Sequence, residues 1–297
     1  PYAEKVLQNE SLPSGQEYVI QAGQNGLQEL TTRRVFEDGV EVSSSVVKSV
    51  IVKEALPQIT MIGVQKPFAP VLIPGRLVYL IDGDAWMLEG NTGNRLPIVT
   101  TGDLDGRIFS LSPDGNWLLY TRRSQDEGVI NTLWAAKLTD VTGTGYLSVD
   151  LKVKNVIHFA AWKPNSTYTI AYSTVEPRAA APGWQANNDL SVLSLSNNGA
   201  IRPLPVELET NMGGNYGWWG MSFFWSPDGS RMAYARPDGI GLLRMGEGVL
   251  EPLLDIVALQ TRGDWAWVPG LSWGSDGKIL YLVTHAPSPG IASPEES

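Results

Sequence analysis

Phe223-Phe224-Trp225-Ser226-Pro227-Asp228-Gly229-Ser230-Arg231-Met232-Ala233-Tyr234 joins an apolar run to a second apolar run through four turn residues. Proline presets φ for the second turn position, and glycine accepts the left-handed conformation that closes the turn. The stretch therefore predicts a tight antiparallel hairpin of two buried strands. The same phrase recurs in the chain. Phe109-Ser110-Leu111-Ser112-Pro113-Asp114-Gly115 leads into Trp117-Leu118-Leu119-Tyr120, and Leu271-Ser272-Trp273-Gly274-Ser275-Asp276-Gly277 leads into Ile279-Leu280-Tyr281. Phe159-Ala160-Ala161-Trp162-Lys163-Pro164-Asn165-Ser166 is a degenerate copy without the glycine. The steps between Asp114, Asn165, Asp228 and Asp276 are 51, 63 and 48 residues. A repeat somewhat above about 40–45 residues with strand–turn–strand content predicts propeller blades.

Each copy is followed by a third strand-like run, at 131–138, 190–195 and 240–245, and by a fourth, at 145–151, 201–206 and 249–254. Four strands form a sheet that cannot cover both of its faces alone and must stack on its neighbours. Residues 76–81, 84–88 and 95–100 read as the last three strands of a blade, and 271–285 as the first two of another. Shared between one blade, these ends give a ring of about four blades; otherwise the natural chain runs on past Ser297, and the tail at 286–297 reads as a loop inside a blade. The Ser-Pro-Asp-Gly phrase resembles the blades of TolB-like (WD40-like) propellers over residues 76–285. Such propellers also precede prolyl-oligopeptidase-type catalytic domains, so the resemblance implies a fold and leaves the function open.

The first 65 residues follow a different pattern. Val40-Glu41-Val42-Ser43-Ser44-Ser45-Val46-Val47 and Glu29-Leu30-Thr31-Thr32-Arg33-Arg34-Val35-Phe36 alternate around Glu37-Asp38-Gly39, a hairpin turn signal, and 46–52 reads as a third strand. Period-two patterning rich in Thr, Ser and Val predicts a thin, mostly solvated sheet. Gly15, Gly23, Gly26, Gly39 and Gly63 punctuate it. With the Gly23-Gln24-Asn25-Gly26 turn, these glycines closely resemble a G5 domain over residues 1–65. The resemblance implies an elongated β-module of exported bacterial proteins, with glycan (N-acetylglucosamine) binding or spacing as its role. The fold class expected is thus all-β, a small elongated G5 module at 1–65, a Pro-rich linker at 66–75, and propeller blades at 76–297.

The chain of 297 residues holds 22 Lys and Arg against 31 Asp and Glu, for a formal charge of −9. Phosphate backbones need a basic footprint, so no nucleic-acid partner is expected. No apolar run approaches the length of a membrane span. The absence of cysteine excludes disulfides and thiol chemistry. Since the chain opens on Pro1, a removed leader or anchor is expected before it, and the localisation expected is extracellular or on a bacterial cell surface.

Three long connections fall on the blade end opposite the Ser-Pro-Asp-Gly turns, at 176–189, 211–220 and 261–270. They bring Trp184, Tyr216, Trp218, Trp219, Trp265 and Trp267, with Asp264, toward one rim. Flat aromatic faces beside amides and carboxylates suit sugar rings or extended peptides. The expected partner is therefore a glycan of cell-wall type, or a peptide or protein, bound at those residues. Trp225 and Trp273 are assigned to packing. No nucleophile elbow, phosphate loop or metal-binding helix appears, and no catalytic residue, cofactor or metal is assigned. Asp103 with Asp105, and Asp126 with Glu127, read as solvated carboxylates; His158 reads as a core or rim residue and His285 as a poor candidate base. The resulting expectation is a non-enzymatic binding or scaffold protein. Its alternatives are the non-catalytic front of a larger secreted hydrolase, or a purely structural interaction protein.

Overall fold

The computed structural model describes residues 1–66, 69–142, 145–166, 168–211, 218, 220–258 and 267–285. Strands dominate, and no α-helix occurs among the described residues. The chain divides into two units, Pro1–Pro70 and Val71–Ser297.

The first unit holds β1 (Glu4–Pro13), β2 (Glu17–Gln21), β3 (Leu27–Glu37), β4 (Val40–Lys53) and β5 (Gln58–Gln65). β5 lies between β1, to which it is parallel, and β2, to which it is antiparallel. β3 and β4 form a separate two-stranded ribbon whose residues are exposed along both strands. Asp38 and Gly39 both take positive φ, 53° and 85°, and Glu37 pairs directly with Val40, so the Asp-Gly turn forms as expected. The separate strand expected at 46–52 does not exist. Residues 43–45 are serines, which an extended chain accommodates, and no turn former interrupts β4. Nor do all five glycines hold turns open. Gly15 and Gly39 have positive φ, whereas Gly63 is buried where a Cβ would lie 2.0 Å from the Pro13 carbonyl oxygen. Its role is close approach between β5 and the end of β1.

In the second unit the first sheet contains β6 (Leu72–Ile81), β7 (Asp84–Asn91) and β8 (Arg95–Val99). β6 begins inside the proline-rich 66–75 stretch, and its register against β7 shifts between Leu72 and Arg76, around Pro74-Gly75. The second sheet is β9 (Leu104–Leu111), β10 (Trp117–Arg123), β11 (Asn131–Thr142) and β12 (Gly145–Lys154). The third comprises β13 (Phe159–Trp162), β14 (Thr169–Ser173), β17 (Ser191–Leu195) and β18 (Ile201–Pro203). Between β14 and β17 an extra hairpin forms from β15 (Val175–Pro177) and β16 (Trp184–Ala186), where the sequence predicted only a loop. The fourth sheet is β19 (Ser222–Trp225), β20 (Met232–Arg236), β21 (Gly239–Arg244) and β22 (Val249–Asp255), and β23 (Gly270–Trp273) pairs with β24 (Leu280–Val283).

These sheets are propeller blades. Trp117 and Leu119 of β10 enter the core shared with the third sheet, while Leu118 and Tyr120 enter the core shared with the first. Met232 and Tyr234 of β20 likewise face the third sheet, and Ala233 and Ala235 face β23 and β24. A continuous apolar strand is thus buried on both faces because alternate residues serve two cores. One backbone hydrogen bond recurs between successive blades. Leu104 N–H donates to Gly83 O (3.0 Å), Asn155 to Asn131 (2.9 Å), Asn211 to Asn187 (2.7 Å) and Ile256 to Asp238 (3.0 Å). Each ties the chain entering one blade to the β-turn or hairpin between the middle strands of the blade before it. The recurrence identifies β6, β7 and β8 as the second, third and fourth strands of their blade.

The Ser-Pro-Asp-Gly turns stand at the other end. Ser226 Oγ donates to Asp228 Oδ1 (2.5 Å) and accepts from Arg231 N–H (2.9 Å), and Gly229 has φ +69°. In the degenerate copy the left-handed position moves one residue earlier, to Asn165 at φ +58°. Asparagine tolerates that conformation, which is how the phrase survives without glycine.

Candidate functional site

The innermost strands of adjacent blades start at one end of the propeller unit, and Arg107 and His158 occupy equivalent places there, two residues before Phe109 and Ala160. His158 is half-buried, with its Nε2 enclosed. Its ring meets Trp184 edge-on at 4.6 Å between centroids, and Gly220 packs against it, where a Cβ would lie 2.9 Å from the imidazole. Burial first, and then the charge of Arg107, push the His158 pKa down to about 4. The imidazole is therefore neutral near pH 7, and its buried Nε2 has no hydrogen-bond partner among the described residues.

β9 differs from every other inner strand. It spans eight residues, against four each in β13, β19 and β23. Its register against β10 runs from Phe109↔Tyr120 directly to Leu104↔Arg122, so residues 105–108 bulge out opposite Thr121 alone. Asp105 holds this bulge closed. Its carboxylate accepts from the Arg107 backbone N–H (3.0 Å), the Thr121 hydroxyl and Asn131 Nδ2 (2.8 Å). Thr121 and Asn131 are both fully buried. Asp103 lies two residues away but is drawn to a different partner: Arg122 donates to it through Nε (3.0 Å) and Nη2 (2.8 Å). Burial opposes ionisation of Asp103, yet hydrogen bonds from Arg122 and Thr101 hold its carboxyl below the ordinary range. The two aspartates, expected as solvated carboxylates on one face, are thus separately engaged. Beside the bulge, Asp105, Gly106, Arg107, Arg123, Ser124 and Ile130 line a cavity of about 620 Å³.

Of the predicted rim residues, Trp184 sits on β16, not on a loop, and contacts His158. Its hairpin is fastened at the base by Asp189, whose carboxylate accepts from Ser173 Oγ, Thr174 N–H and Thr174 Oγ1. Trp267 is half-buried and meets the His285 ring edge-on at 5.4 Å. Trp218 is half-buried. Tyr216, Trp219, Asp264 and Trp265 lie outside the described residues. Trp273 donates its indole N–H to Phe224 O (2.9 Å), which ties it to the neighbouring blade. Arg107, Arg123, Thr121 and Asn131 were not found from the sequence. The one local signal was Asp105-Gly106 interrupting an apolar strand.

Residues 1–65 match the G5 domain family. No functionally curated protein resembles the chain in sequence. Among solved structures it is similar to a putative 6-phosphogluconolactonase from Bacteroides uniformis, at 16% identity over 68% of this chain and 56% of that one, with a TM-score of 0.41. It is also similar to the periplasmic gluconolactonase of Pseudomonas aeruginosa, at 12% identity over 67% and 56%, TM-score 0.42. An oligogalacturonate lyase in complex with manganese matches at 15% identity over 72% and 57%, TM-score 0.45. The chain spans little more than half the length of these proteins.

The expectation of a non-enzymatic binding or scaffold protein is corrected here. The three solved structures just named are enzymes by name, which conflicts with that expectation. At such identities the likeness bears on the fold alone and assigns no reaction.

Proposed function

We propose that this chain is the wall-attached, substrate-engaging part of an exported bacterial enzyme. Residues 1–65 hold cell-wall glycan of N-acetylglucosamine type, and the TolB-like propeller engages substrate at the end where Arg107, His158 and Trp184 lie. The observation that carries this reading is the G5 match over residues 1–65. The second unit adds support, because the end where its inner strands start holds the His158–Trp184 ring contact and, on the neighbouring blade, a cavity lined by Arg107 and Arg123. Apolar rings with a few convergent polar groups are what a sugar-bearing substrate requires.

The test is co-sedimentation of the full chain with purified peptidoglycan, with release of soluble sugar fragments followed in the same tubes. Retention that soluble N-acetylglucosamine oligomers compete away supports attachment. Fragment release that falls in the His158→Ala variant supports engagement at the propeller. A chain that stays in the supernatant at all protein concentrations overturns the attachment reading, and release unaffected by the variant overturns the other.

A further inference from the structure

We propose that the β9 bulge is a receptor for a carboxylate group, held between the guanidinium groups of Arg107 and Arg123. The inference rests on the reading of this end as the substrate-engaging face, and names the chemistry that it takes.

The charge pattern is the first argument. Acidic residues outnumber basic ones, and Arg34, Arg76, Arg122, Arg178, Arg236 and Arg244 each have a carboxylate partner. Arg107 and Arg123 have no acidic partner among the described residues, although both line one cavity. Of the nearby carboxylates, Asp103 pairs with Arg122, and Asp105 accepts from the Arg107 backbone, Thr121 and Asn131. Asp105 lines the same cavity, so its charged residues, Arg107, Arg123 and Asp105, leave a formal net charge of +1 there, in a chain of charge −9.

The second argument is construction. Among the described residues no other inner strand shows such a register shift, and two fully buried polar side chains, Thr121 and Asn131, help to secure this one. Buried polar groups are costly unless fully bonded, and these two bond Asp105 together with Ile108 N–H, in the case of Thr121, and the Val156 backbone, in the case of Asn131. The consequence is that Gly106, at φ +73°, and Arg107 stand out from the sheet beside the cavity. Arginine's planar fork suits a carboxylate, which it can grip through two parallel hydrogen bonds. The cavity of about 620 Å³ also admits the sugar or peptide unit that carries the carboxylate. In wall material that group comes from a uronic or lactyl sugar or from a peptide terminus.

Calorimetric titration of the soluble full chain separates the possibilities. The probes are a glucuronate-containing disaccharide with its neutral glucose counterpart, and acetyl-dialanine with its C-terminal amide. The charged member of one pair is expected to bind at least about tenfold more tightly than its neutral partner, and that pair identifies the source. Arg107→Ala and Arg123→Ala are each expected to weaken binding about tenfold, while Arg95→Ala, on the outer part of another blade, leaves it unchanged. Equal binding of charged and neutral members, no effect of either variant, or no binding of any probe overturns the proposal. Wall retention is measured separately: retention with no carboxylate binding removes this inference but not the attachment reading, and the converse result does the reverse.

Discussion

His158 and Trp184 meet edge to face 4.6 Å apart, and this contact joins the entry of the innermost strand of one blade to a hairpin inserted later in the same blade. Burial of the imidazole, and then the charge of Arg107, hold its pKa at about 4. The sign of the effect on stability follows. Between about pH 4 and the ordinary value of 6.5, the unfolded chain binds the proton and the folded chain does not. Stability from this source is complete above 6.5 and declines as pH falls toward 4, by at most about 3 kcal/mol. Denaturant midpoints measured from pH 7 to pH 4.5 should therefore fall more steeply in the wild type than in His158→Phe. Parallel slopes would show that the imidazole is not the group responsible.

Thr121→Val tests the bulge. The substitution keeps shape and removes one donor to the buried side of the Asp105 carboxylate, a loss of about 1–3 kcal/mol. Denaturation should show a cost in that range. The Arg107 amide, which donates to the same carboxylate, should exchange faster with deuterium. Unchanged exchange at Arg107 would mean that Asp105 is held adequately without Thr121.

Gly229→Ala and Asn165→Gly probe the two versions of the repeated turn. A Cβ at Gly229 would meet the Pro164 carbonyl oxygen at 2.6 Å in a left-handed backbone, so the alanine variant should lose about 2 kcal/mol or more. Asn165 already tolerates positive φ, and glycine there should change stability by less than about 1 kcal/mol. Thermal unfolding of both variants decides the matter, and similar losses would contradict the assignment of left-handed roles.

Gly63→Ala acts on the first unit. Its Cβ would press within 2.0 Å of the Pro13 carbonyl oxygen, and neither strand can move without breaking the β1–β5 pairing. A loss of about 3 kcal/mol is expected in that unit. Amide exchange should rise in residues 4–9 and 58–65 while β10 and β20 stay protected. Protection retained in β1 would show that the strands can separate there at little cost.

The hairpin phrases were legible because everything they need is local: a proline, a glycine and alternating apolar neighbours. Even the third and fourth strands of each blade fall close to their expected positions, since strand periodicity survives in β11, β17 and β21. The bulge was not legible, because its cause is distant. Asp105 depends on Asn131, twenty-six residues later, and on Thr121 across a strand pair. Hairpin β15–β16 was hidden for another reason. Its turn is rich in Ala, Pro and Gly, which read as irregular chain, and its pairing is three residues long. The rim tryptophans show the limit of composition as a guide to sites. Trp184 was visible as an aromatic residue, but its contact with His158 depends on how one blade's connections fold back on each other.

The β1–β5 register bears on mechanics. The two strands run in the same direction, from Glu4↔Gln58 to Asn9↔Gly63, so the start of one and the finish of the other lie at opposite ends of the sheet. Tension applied between those ends slides the strands lengthwise and strains all the rungs together, instead of peeling them one at a time. The first unit is accordingly arranged to bear force along its strands before it gives way.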